Sequence, residues 1–222
     1  MITKDDIIAD YMAFVTSSDI GQPDISEYLD QSKIDEQTFD AFFESIEDLE
    51  MTIWEVLMRQ SIETVQADPI FNEFSAKEKI LSLYYTFFEN ASLNQEYLKK
   101  NIRMTKNIRS RLKLFDKLKP TYQAFVRNVL AQSSRYQPLL NISVFEKFTQ
   151  SSRDNGSWGL FLFLLDFWQK DESNEFEKTD AAIEKAVTLA TSLIDRSPFD
   201  HALDFGKFLW KERSMYTFNR FR

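Results

Sequence analysis

With 43% hydrophobic and 28% charged side chains over 222 residues, the chain has an ordinary globular balance rather than that of a disordered chain. The absence of cysteine excludes disulfides, thiolate nucleophiles and thiolate metal sites, while four Gly and five Pro favour long helices over many hairpins. The net charge of −8 is uneven: residues 1–60 hold fifteen acidic and three basic side chains, but residues 99–119 hold nine basic and one acidic, Asp116.

The first residues, MITKDDIIAD, lack the apolar stretch of a signal peptide. The longest apolar run, Trp158 to Leu165, is far below the ~20 residues needed to cross a bilayer. A cytoplasmic, all-α protein is expected.

In chain order, residues 4–16 place Ile7, Ile8, Tyr11, Met12, Phe14 and Val15 at helical spacing. A break over residues 17–23 leads to a second piece, Ile25 to Leu29, and a third with Asp35 as N-cap and Phe39, Phe42 and Phe43 on its apolar side. Ser45-Ile46-Glu47-Asp48 then opens a longer helix, running to about Ala67. Asp68-Pro69 ends it, since Pro disfavours helical geometry at the preceding residue.

Ser75-Ala76-Lys77-Glu78, Ser92-Leu93-Asn94-Gln95 and Ser143-Val144-Phe145-Glu146 have the spacing of capping boxes, in which two side chains satisfy the free N–H groups of a helix start. Residues 76–91 are apolar on most sides, as for a buried helix. One or more helices over 95–134 carry the basic stretch, and 157–170 form a second helix apolar nearly all round. Over 176–195 a stripe of Ile183, Val187, Ala190 and Ile194 with Ala182 and Ala186 beside it suits close helix contact. A last helix is expected near Phe199.

The three-piece head resembles the helix-turn-helix domain of the TetR repressor family. The resemblance lies in Ile25 to Leu49, where Ile34-Asp35, Thr38-Phe39, Phe43 and Ser45-x-Glu47-Asp48-Leu49 stand at the family's packing and capping positions. It implies a three-helix head over residues 1–50 and a larger helical ligand-binding and dimerisation domain over 51–222. It also implies a homodimer, an apolar or lipid-like small molecule as ligand, and a head whose orientation responds to that ligand. The departures fall where DNA would be touched. Asp40 stands for a backbone-contacting Tyr, Phe42 for a His, Ile46 for a Lys and Lys33 for the turn Gly. The reading helix, Asp35 to Asp40, has three carboxylates and no cation, so a polyanion is repelled before bases are read. Lys4, Lys33, Gln37 and Thr38 are the residues left to meet DNA.

A second resemblance, over Trp158 to Val187, is to the late helices of the lipid-binding accessory protein of coenzyme Q biosynthesis. It rests on an aromatic-rich helix followed by Gln169-Lys170-Asp171-Glu172-Ser173 and Phe176-Glu177-x-Thr179. It implies a lipid-binding protein that keeps the fold without DNA. A scaffold whose acidic head docks a basic partner protein is the third reading.

Tyr84, Phe88, Tyr122, Phe125, Phe148, Trp158 and Phe161 either line an apolar ligand pocket or are simply core. Asp166, interrupting an apolar run, either orients a ligand's polar end or pairs with a cation across a dimer interface, or lies on the helix's wet edge. The dimer contact is expected at Phe167, Ile183, Ala186, Val187, Ala190 and Ile194. The basic stretch Lys99 to Lys119 either meets anionic lipid, nucleic acid or an acidic partner, forms a solvated face, or pairs with the chain's own acidic head. The aromatic, cationic tail, Phe205 to Arg222, either touches a membrane peripherally or packs on the bundle. With His201 as the only histidine and no phosphate-binding Gly motif, no catalytic residues, metal site or cofactor are expected.

Overall fold

The computed structural model describes residues 2–17, 23–132 and 143–195, and every regular element among them is a helix. The short pieces of the head are α1 (Lys4–Ser17), α2 (Ile25–Ser32) and α3 (Glu36–Asp40). Asp24 caps α2 by accepting from the Ser26 N–H, and Asp35 caps α3 by accepting from the Thr38 N–H. Lys33 closes α2 in the left-handed region at φ 58°. That is the conformation Gly adopts more readily than residues with a Cβ, and here Lys33 takes it up to end the helix. Tyr11, Tyr28 and Phe39 form an edge-on series, with ring centroids 5.2 Å and 6.3 Å apart, that fastens the three helices together.

Helix α4 (Ile46–Gln66) starts on a Ser45 cap and runs along the body, burying Leu49, Ile53, Trp54, Leu57 and Met58. It packs on α5 (Ala76–Leu93) and α8 (Leu118–Gln132). α5 in turn meets α8 and α10 (Glu177–Asp195), and α9 (Ser143–Lys170) lies against α8 and α10. Trp54 is fully buried, its indole edge-on to Phe115 at 5.1 Å and donating to Asn101 at 2.9 Å. Truncating such a residue typically costs about 3–5 kcal/mol.

The Ser75–Glu78 capping box forms, with Ser75 N–H to Glu78 at 2.7 Å and Glu78 N–H to Ser75 at 3.3 Å. The second expected box does not. α5 continues through Leu93 because its buried face extends to Ala91, so the Ser92 hydroxyl bonds back to the Phe88 carbonyl at 2.7 Å. Asn94, with no side-chain cap bond, starts α6 (Gln95–Met104). The basic stretch is broken at Thr105, after which Asn107 caps α7 (Ile108–Lys113) through the Ser110 N–H. The expected helix at 157–170 extends back to Ser143. The last helix near Phe199 and the tail 205–222 lie outside the described residues. No described helix is long and apolar enough to cross a membrane.

Candidate functional site

The centre of the body is an aromatic cluster supplied by three helices. Tyr84, Phe87 and Phe88 come from α5, Tyr122 from α8, and Trp158 and Phe161 from α9. Phe161 touches all the others, with centroids at 5.1 Å to Tyr122, 5.2 Å to Phe87, 5.3 Å to Trp158, 6.4 Å to Tyr84 and 6.5 Å to Phe88. The spacing follows from helix periodicity: Tyr84, Phe87, Phe88 and Ala91 share one face of α5, and Trp158, Phe161 and Leu165 one face of α9.

Two phenols would be costly here without partners, and each has one. The Tyr84 and Tyr122 hydroxyls lie 2.7 Å apart, and the Tyr122 hydroxyl donates to the Ser157 carbonyl at 2.9 Å, so Tyr84 is the donor to Tyr122. Burial pushes the Tyr84 phenol well above its ordinary pKa and raises Tyr122 to about 12. Both stay neutral through the physiological range. The result is a closely packed apolar cluster that holds one short polar relay.

Of the pocket candidates, Tyr84, Phe88, Tyr122, Trp158 and Phe161 are thus brought together. Phe125 is buried elsewhere, against Phe71 at 6.2 Å. The side chain of Phe148 lies outside the description. Asp166 takes the last of its alternatives and not a place in the cluster: it turns to the wet edge of α9, half exposed, and accepts from Lys170 one turn on at 2.6 Å. Sequence reasoning missed Ser157, whose contribution is a backbone carbonyl, and Trp168, whose indole donates to Ser92 at 3.0 Å.

The expected dimer stripe also needs correction. Ile183 and Val187 face inward, at 0% and 1% exposure, because α10 uses that side against its own chain. Ala186, Ala190 and Phe167 are half-buried, and the side chain of Ile194 is outside the description. The outward face of α9 instead carries Gly156, Leu160, Phe163 and Phe167 at helical spacing, with Phe163 56% exposed and 6.4 Å from Phe167. A Cβ at Gly156 or Gly159 would meet open space.

The motif after α9 is a turn rather than a site. The Asp171 carboxylate accepts from Ser173 N–H and hydroxyl at 2.9 Å and 2.6 Å, and from Thr179 N–H and hydroxyl at 2.8 Å and 2.6 Å. Burial works to raise its pKa, but these four bonds outweigh it and hold the group at about 2.

Where the head meets the body, a groove of about 280 Å³ runs between α1 and the α5–α6 junction, lined by Met12, Thr16, Leu93, Asn94 and Tyr97 among others. Beside this junction Glu50 is buried and accepts from Tyr11 at 2.9 Å. Desolvation raises the Glu50 pKa, partly offset by the hydrogen bonds from Tyr11 and Asn101. The Tyr97 hydroxyl is buried without a hydrogen-bond partner among the described residues. Nothing in the local sequence around Tyr11, Glu50 or Asn101 signals this network, since it joins positions 39 and 47 residues apart.

On the head's surface, Glu36, Gln37 and Asp40 of α3 are exposed. Thr38 is half-buried and its hydroxyl donates to Asp35 at 2.8 Å, which keeps Asp35 below the ordinary carboxylate pKa and anionic. Lys33 is exposed beside this helix, and Lys4 lies over the Phe43 ring at 5.5 Å. Of the four residues left to meet DNA, Gln37 and Thr38 thus lie on the acidic helix itself and Lys33 just before it.

The basic stretch is divided in its contacts. Lys113 pairs with Glu47 at 2.6 Å, Lys117 with Asp48 at 2.6 Å, and Lys100 donates to the Val15 carbonyl at 2.7 Å. Part of it thus faces the acidic start of its own chain, one of the alternatives open at sequence level.

No curated protein and no solved structure matches the chain. Residues 79–209, more than half of the chain and reaching from α5 through α10, match the family model described as "Tetracyclin repressor-like, C-terminal domain". The all-helical body built around α5, α8, α9 and α10 is the part so matched, and the chain belongs to the tetracyclin repressor-like family.

Proposed function

We propose that this is a regulator-type member of its family. In this reading residues 1–50 act as a helix-turn-helix-like head, and residues 51–222 bind an apolar or amphipathic small molecule and dimerise. The observation that carries the reading is the relay from the Tyr84 hydroxyl to the Tyr122 hydroxyl to the Ser157 carbonyl, set among six packed aromatic rings. A ligand entering between α5, α8 and α9 would exchange ring contacts for its own apolar surface and take over the hydrogen bonds of this chain. The homodimer forms through the outward face of α9, where two Gly backbones permit close approach and Phe163 supplies area. No catalytic role is assigned.

The head does not act as an ordinary operator reader. Glu36 and Asp40 on the exposed side of α3 meet phosphates with the wrong sign, and Lys33 and Lys4 are too few to reverse it. A lipid-binding accessory role on the same fold is favoured by that charge, together with the apolar core. Native mass spectrometry of the purified chain tests the ligand, expecting a bound amphipathic molecule that Phe161→Asp abolishes. A low-salt gel shift tests the head: no retardation is expected, and strong retardation would restore an operator-binding role.

A further inference from the structure

We propose that the corner formed by the end of α6 and by α7 is a docking surface for an anionic lipid bilayer. None of the six residues of α7 is buried. Ile108 and Leu112, one helical turn apart and so on one face, are 76% and 44% exposed. Large aliphatics held this far into water have no role in the chain's own core.

Cations surround them. Arg103, Lys106 and Arg109 are exposed and make no ion pair among the described residues, in contrast to Lys113 and Lys117, which are paired with Glu47 and Asp48. The order of chemistry, aliphatic tips flanked by free cations, matches a bilayer interface, where hydrocarbon lies just beneath a layer of phosphates. A protein groove would need more apolar area than two side chains provide. The net charge of −8 repels the rest of the chain from the same surface, so contact is confined to this corner and the molecule is oriented by it. This surface is separate from the aromatic interior and stands without the ligand reading.

The test is sedimentation of the full chain with phosphatidylcholine vesicles and with mixed phosphatidylcholine–phosphatidylserine vesicles. Binding is expected only to the mixed vesicles, weakening with added salt. Arg103→Glu, Lys106→Glu and Arg109→Glu together are expected to weaken it at least ~10-fold. Ile108→Asp with Leu112→Asp is expected to weaken it by a similar factor, with unchanged circular dichroism because all five positions are exposed. No binding by the wild type would overturn the proposal. Undiminished binding by both variants would do so too, placing the contact in another segment such as the tail. So would loss of vesicle binding alongside retention on an acidic polypeptide, which would make the corner a protein-docking site.

Discussion

The Tyr11 hydroxyl donates to the Glu50 carboxylate across 2.9 Å at the point where α1, α4 and α6 meet. Asn101 shares this carboxyl group and also accepts from Trp54, so one buried acid organises side chains from all three helices. A single buried acid at such a junction holds the head in register with the body, and it is also the junction's weak point.

Because burial raises the Glu50 pKa above its ordinary 4.5, the folded state binds more protons than the unfolded one just above that value. Its contribution to stability is therefore greatest in acid and declines as pH rises from 4.5 through the raised folded value. Glu50→Gln keeps an acceptor for Tyr11, removes the buried charge and adds a donor that the unpartnered Tyr97 hydroxyl can accept. Thermal melts from acid to mildly alkaline pH should show the variant melting higher at the alkaline end by ~2–4 °C, the shift that about 1 kcal/mol produces at this size. A lower melting temperature for the variant there would mean that the ionised carboxylate stabilises the junction.

Asp171 behaves in the opposite sense. Its pKa of about 2 lies below the ordinary 3.8, so its stabilisation is complete above 3.8 and is lost as pH falls towards 2. Asp171→Ala removes four hydrogen bonds at the entry to α10 and should destabilise by about 1–2 kcal/mol in denaturant unfolding at neutral pH. The loss should shrink in strong acid, where the wild-type carboxyl is protonated as well.

The two core phenols should respond unequally to removal. Tyr84→Phe leaves the Tyr122 hydroxyl its bond to Ser157. Tyr122→Phe strands the fully buried Tyr84 hydroxyl, a loss of roughly 1–3 kcal/mol, against about 1 kcal/mol for Tyr84→Phe. Chemical denaturation of the two single variants and the double should show the double less damaged than the sum. Equal single losses would mean that the Tyr84 hydroxyl finds another acceptor.

Phe163→Glu places a charge on the outward face of α9 without entering the core. Sedimentation velocity should show a dimer for the wild type and a monomer for the variant, with helicity unchanged. A variant that still dimerises would move the interface off this face.

For the partly exposed pair Lys117–Asp48, a double-mutant cycle should return a coupling of about 0.5–1 kcal/mol, smaller at high salt. Its main consequence is orientation, since it fixes the basic segment against the start of α4.

The sequence alone determined the helical class, the three short helices of the head, the caps at Asp35, Ser45 and Ser75, and the opposition of an acidic start to a basic middle. These are local properties: capping and periodicity act over three or four residues, and charge is counted without geometry. Tertiary structure decided what each face meets. Ile183 and Val187 read as a contact stripe but are turned inward by α10's packing, and Asp166 sits on a wet edge that periodicity alone left undecided. The Glu50 network and the Tyr84–Tyr122–Ser157 chain join residues tens of positions apart, one through a backbone carbonyl. No local pattern encodes such meetings, because they depend on which buried faces the whole chain brings together.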